Sequence, residues 1–168
     1  MPETTEVTVP ITRVTVTSDR PFDDVVAAVY SGLGRVPDFR QLLTQWSTVH
    51  DAAEFEATVG EVSGTSGLIE FLSLDLGGAL TVRDPARGRR MLRIIAGNPV
   101  TMSKMAATVP DVGSYAPVTI LIAERSAGTT LSYDRVASAI APYGSGEATA
   151  VAEALDAAVL TLLHDAAT

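Results

Sequence analysis

The chain has 168 residues, 46% of them hydrophobic and 19% charged, and a formal net charge of −8. A pI of about 4.6 argues against nucleic acid and anionic membranes as partners, because such a surface repels both at long range. With no cysteine present, disulfides, thiolate metal sites and cysteine nucleophiles are excluded.

The N-terminal stretch MPETTEVTVP has neither the basic nor the apolar segment of a secretory leader. No run approaches the roughly 18 apolar residues of a membrane helix. A single cytoplasmic domain over residues 1–168 is the expectation.

Residues 7–17, VTVPITRVTVT, alternate β-branched and polar side chains, which predicts a strand. Pro10 cannot donate to a ladder, and the apolar phase changes between Ile11 and Val14, so an edge with a bulge near Thr12 and Arg13 is expected. A helix follows. Ser18 and Asp19 offer caps, Pro21 suits the first turn, and Asp23 and Asp24 favour the positive helix end. Phe22, Val25, Val26, Val29 and Leu33 form its apolar stripe, and Gly34 ends it.

Residues 38–53 read as a second helix capped by Asp38, with Phe39, Leu42, Leu43, Trp46 and His50 on one face. Residues 54–62 fit a helix through Phe55, Val59 and Val62, or a strand through Phe55, Ala57 and Val59. The segment 38–62 is treated as a helical insertion, ended by SGTSG. FLSLDLGG then alternates Leu72, Leu74 and Leu76 against Ser73 and Asp75 and predicts a half-buried strand. RDPARG is a turn by composition, and RRMLRIIAG is the next strand.

AGNPVTMSKMA raises the question of whether its turn holds a ligand or starts a helix. Asn is a favoured N-cap and Pro a favoured first helical residue, which is the order of Asn98 and Pro99. Met102, Met105, Ala106 and Val109 follow as a narrow apolar stripe, and Pro110 stops it. One glycine does not make a phosphate loop, and no GxGxxG or GxxxxGK[ST] occurs. PVTILIAERS and GTTLSYDRV are strands joined near Ala127 and Gly128 as a hairpin. The last helix buries Ala148, Val151, Leu155, Ala158, Val159 and Leu162. Consecutive strands joined by tight turns, with long helices at either end, predict an α+β layer.

Gly97-Asn98-Pro99, Met102 or Met105, Pro110, Pro117, Gly128 and Ser132-Tyr133-Asp134 follow one another in a pattern that resembles the DUF302 family. The strand carrying Asp75 is similar to the family's upstream apolar strand. The resemblance covers roughly residues 7–141 and is strongest over 70–134. Two positions depart from it: Leu76 stands where many members have His, and Arg135-Val136 stand where many have Pro. The resemblance implies a TATA-box-binding-protein-like α+β fold, a curved antiparallel sheet with long N- and C-terminal helices on one face, often as a homodimer. It implies no reaction.

Asp75, inside an apolar strand, would be a general base if it faced the helices and a solvated carboxylate if it faced outward. Tyr133 is a candidate donor. Trp46 and His50, one helical turn apart, form a candidate ligand-lining pair. Asn98 and Tyr115 complete the candidate ligand-binding residues, and Tyr143 sits in a Gly-rich approach to the last helix. His164 reads as a structural residue near a helix end. Arg83, Arg87, Arg89, Arg90 and Arg93 surround one turn, as a solvated hairpin or a patch for an acidic partner. Two histidines without a carboxylate cluster make a poor metal site, so no metal and no cofactor are expected. The leading expectation is a cavity between sheet and helices that binds a small, largely apolar molecule. The alternatives are a metal-independent enzyme, isomerase- or cyclase-like, using Asp75, Tyr133 or His50, and a homodimeric interaction module.

Overall fold

The structure, a computed structural model, describes residues 1–86 and 89–168. Its frame is a six-stranded curved, unclosed sheet in the order β1-β6-β5-β4-β3-β2. The strands are β1 (Arg13–Ser18), β2 (Gly34–Arg35), β3 (Ile69–Asp75), β4 (Met91–Gly97), β5 (Val118–Arg125) and β6 (Gly128–Asp134). All neighbours are antiparallel except β2, which pairs in parallel with β3 at Ile69 and Glu70.

Period-two alternation gives the sheet two unlike faces. Ile94, Ile120, Ile122 and Leu131 are fully buried on one of them. That face meets α1 (Phe22–Gly32), α5 (Pro99–Ala106) and the long α7 (Gly146–Ala167), which supply Val25, Val29, Met105, Val159 and Leu163 to the same core. Each such aliphatic side chain stabilises the fold by about 1.5–3 kcal/mol. The opposite face, with Arg93, Ile95, Thr119 and Leu121, is half-buried or exposed and is called the open face below. Among the described residues no helix is long and apolar enough to cross a membrane.

The antiparallel α+β architecture, the α7 stripe and the hairpin agree with the reading of the sequence. Gly128 has φ 123° where β6 leaves the hairpin, and a Cβ there would lie 2.2 Å from the Ser18 carbonyl oxygen. Asn98 caps α5 as its residue type predicts, accepting from the amides of Val100 at 2.9 Å and Thr101 at 3.1 Å.

Several local expectations are corrected. Residues 7–12 are outside the sheet, and β1 starts at Arg13 without a bulge, since pairing begins where Arg13 meets Asp134. Neither Ser18 nor Asp19 caps α1. The N-cap is Pro21, while the Ser18 hydroxyl donates to the Ala167 carbonyl at 2.6 Å and so ties β1 to the end of α7. Residues 38–53 do not form one helix. The chain turns after α2 (Phe39–Trp46), because Ser47 and Thr48 hydroxyls donate back to Thr44 and Gln45 carbonyls, and Asp51 starts α3 (Ala52–Val62). The ambiguous 54–62 stretch is therefore helix. The Leu72, Leu74, Leu76 alternation stops at Asp75, which caps α4 (Leu76–Arg83) by accepting from Gly78 N–H at 3.0 Å. A short α6 (Val136–Ile140) follows β6.

Candidate functional site

The insertion is where the apolar surface collects. Asp38 opens α2 by accepting from Arg40 N–H at 2.9 Å and Gln41 N–H at 3.2 Å. That start turns Phe39, Leu43 and Trp46 toward one side, a helical stripe of positions four and three apart. Phe71 comes to meet them because β3 bulges between Glu70 and Leu72, freeing Phe71 from the ladder. Phe39 stacks on Phe71 with ring centroids 4.4 Å apart. Trp46 stands edge-on to Phe39 and to Phe55 of α3, each at 5.9 Å. A Lys104–Glu56 ion pair of 2.9 Å, exposed on both sides, joins α3 to α5.

These aromatics line a cavity of about 510 Å³, completed by Gly97, Pro117 and Met102. The size falls in the range of small-molecule sites, roughly 300–1,000 Å³. Nearly every lining group is apolar. Asn98 also borders it, with its amide engaged in structural bonds: besides capping α5 it donates to the Gly67 carbonyl at 2.9 Å. One polar atom stands apart. The indole N–H of Trp46 is buried and has no hydrogen-bond partner among the described residues. An unsatisfied buried donor costs about 1–3 kcal/mol.

A second, larger groove of about 750 Å³ runs along the open face. Arg13, Arg93, Arg125 and Arg135 line it, against one carboxylate, Asp134. Arg13 takes that carboxylate in a two-pronged pair at 2.6 and 2.8 Å, and the bond holds Asp134 below the usual carboxylate range. Tyr115 lies at one end, its hydroxyl 3.4 Å from that of exposed Tyr143. The hydrogen bond with Tyr115, then desolvation, push the Tyr143 pKa up to about 12.

Of the residues singled out in the sequence, Trp46 and Asn98 meet in the aromatic cavity. His50 does not join them: α2 has ended, so the one-turn spacing to Trp46 is not helical, and His50 is exposed. Asp75 is exposed at the start of α4 and faces no pocket as a base. Tyr133 points into the core, where its hydroxyl donates to Asp156 at 2.5 Å. Burial first, then the Asp156 carboxylate, raise its pKa, so it stays protonated and donating. No two of the three proposed catalytic groups, Asp75, Tyr133 and His50, line the same one of these cavities, and only Tyr133 borders one, the open-face groove.

The arginines of the predicted turn divide. Arg90 binds Asp23 of α1 with both ends of its guanidinium and lies 4.5 Å over the Phe22 ring. Arg93 faces the open groove, Arg83 and Arg89 are exposed, and Arg87 lies outside the described residues. Among the described residues no three His, Asp or Glu side chains gather as metal ligands.

Two features escaped the reading of the sequence. Phe55 and Phe71 join Phe39 only through the bulge, which has no local signal, and the α2–α3 turn, whose signal lay in Ser47, Thr48 and the capping Asp51. Asp156 accepts from Tyr133 and from the Val136 and Ala137 amides at 2.9 and 3.2 Å, so a carboxylate of α7 caps α6. Its signal was present: a lone Asp next to Leu155 on the buried stripe of an Ala- and Leu-rich helix.

The crystal structure of an uncharacterized conserved DUF302 protein from Bacillus stearothermophilus shares this fold, with a TM-score of 0.63 over 91% of this chain and 96% of that one, at 10% identity. No curated protein matches the sequence. Residues 44–162 match the family described as a domain of unknown function, DUF302, and the chain belongs to that family.

Proposed function

We propose that this protein binds a small, largely apolar molecule in the aromatic cavity between the α2–α3 insertion, α5 and the end of the sheet. The observation that carries the reading is a cavity of ligand size walled by Phe39, Trp46, Phe55 and Phe71, with few polar groups on its lining. Rigid aromatic walls supply contact area for an apolar ligand. Native mass spectrometry of freshly purified protein tests it. An excess mass that disappears on denaturation, and is reduced in Trp46→Ala, supports binding here. A bound mass that Trp46→Ala retains in full removes it.

Self-association is a second proposal. Beyond Glu70, no strand among the described residues pairs with the outer side of β3, and Leu72 and Leu74 on it are 49% and 36% exposed. An unpaired, apolar strand edge is a template for pairing with a second copy. Sedimentation equilibrium would show a dimer that Leu74→Lys dissociates. A monomer at high concentration ends this reading and leaves the cavity untouched.

A further inference from the structure

The aromatic cavity and the arginine-lined groove share a wall. Ala116, Pro117 and Val118 border both. At the wall Pro117 and Phe71 close over Gly97 of β4. A Cβ there would lie 3.3 Å from Pro117 Cβ and 3.4 Å from Phe71 Cε2, so those two side chains already fill the space above it and Pro117 forms the ridge between cavity and groove.

Arg93 is two residues before Ile95 and four before Gly97 on β4, hence on the same open face. Its guanidinium is not turned away from the wall. Nη2 donates to Thr119 Oγ1 at 3.3 Å, and Thr119 lies opposite Ile95, one pleat nearer the wall than Arg93's own partner Leu121. Thr119 is two residues from Pro117, roughly 7 Å at strand spacing. No carboxylate among the described residues pairs with Arg93. Asp134, the acid of the groove, is taken by Arg13. An unpaired cation therefore stands roughly two strand residues, about 7 Å, from the rim of an apolar cavity, on an otherwise acidic protein.

We propose that the ligand is an amphiphilic carboxylate: its apolar body fills the aromatic cavity, and its acid passes over the exposed Pro117 ridge to Arg93. This inference rests on the cavity reading and names the class of molecule it takes. Arg93 acts as the specificity residue, since a guanidinium offers a carboxylate charge-assisted, paired hydrogen bonds that an alcohol cannot match. Arg125 lies eight residues from Pro117, at the far end of β5.

Trp46 is the only tryptophan of the chain, so its fluorescence reports on the cavity directly. The test is titration of the full chain with decanoate and with decanol, in wild type, Arg93→Gln and Arg125→Gln. Wild type should bind decanoate about tenfold or more tightly than decanol, the effect of one charged hydrogen-bonded contact. Arg93→Gln should bring decanoate to the level of decanol and leave decanol unchanged. Arg125→Gln should keep the preference. Equal binding of acid and alcohol by wild type, or a preference that survives in Arg93→Gln or is lost equally in Arg125→Gln, overturns the inference and leaves the cavity standing. No response of Trp46 to either compound removes the cavity reading and this one with it.

Discussion

Phe39 of α2 lies stacked on Phe71 of β3, with ring planes 27° apart, and this contact fastens the insertion to the sheet. Both rings are half-buried, and Phe71 is available only because it bulges out of the ladder. Phe39→Ala should cost about 1–3 kcal/mol, from lost area and the lost aromatic pair. The loss is local. Hydrogen exchange should quicken in α2 and α3, Trp46 emission should shift to the red, and β5 should keep its protection. Uniform loss of protection would mean that the insertion and the sheet unfold as one.

Tyr133 and Asp156 give a prediction about stability and pH. Asp156→Ala leaves the Tyr133 hydroxyl and two α6 amides without their acceptor, at about 3 kcal/mol or more. Tyr133→Phe removes one donor and leaves the carboxylate two, so it should cost less, about 2 kcal/mol. The unfolded tyrosine titrates near its ordinary value of 10.0, and burial raises it in the folded state. The folded state thus holds this proton more tightly. The resulting stability is complete below about pH 10 and is lost as the pH rises further. Denaturant unfolding across the alkaline range should show a falling curve that Tyr133→Phe flattens; equal slopes would contradict this.

Asn98 answers the question its Gly-Asn-Pro turn poses, and it answers as a structural residue. Its oxygen takes two amides of α5, and its nitrogen donates to Gly67. Asn98→Ala should destabilise by about 1–2 kcal/mol, as measured by urea unfolding. Asn98→Asp keeps the cap but loses the donor, so it should fall between the two. If Asn98→Ala unfolds like wild type, the cap carries no stability.

What could be read from the sequence divides by the range of the interactions. The caps at Asp38 and Asn98, the hairpin at Gly128 and the α7 stripe depend on residues within one or two turns, and they were legible. Asp75 was not, because FLSLDLGG continues a strand pattern, and Gly77 and Gly78 are poor helix formers. What makes α4 possible is distant: Gly77 packs against the Arg89–Met91 backbone, where a Cβ would lie 2.7 Å from Arg89 O. Trp46 was found but paired with the wrong neighbour. Its companions come from three elements, Phe39, Phe55 and Phe71, and only tertiary packing unites them.

The most direct test of the cavity as a binding site uses its one unpartnered donor. A nitrogen–proton correlation spectrum of the labelled protein contains one indole N–H signal, that of Trp46, since the chain has one tryptophan. On titration with decanol, that signal should shift as the alcohol fills the space beside the indole ring, together with the amides of α2 and α5, while those of β1 and β6 stay in place. An indole signal that stays fixed while the protein takes up the alcohol elsewhere would contradict the account.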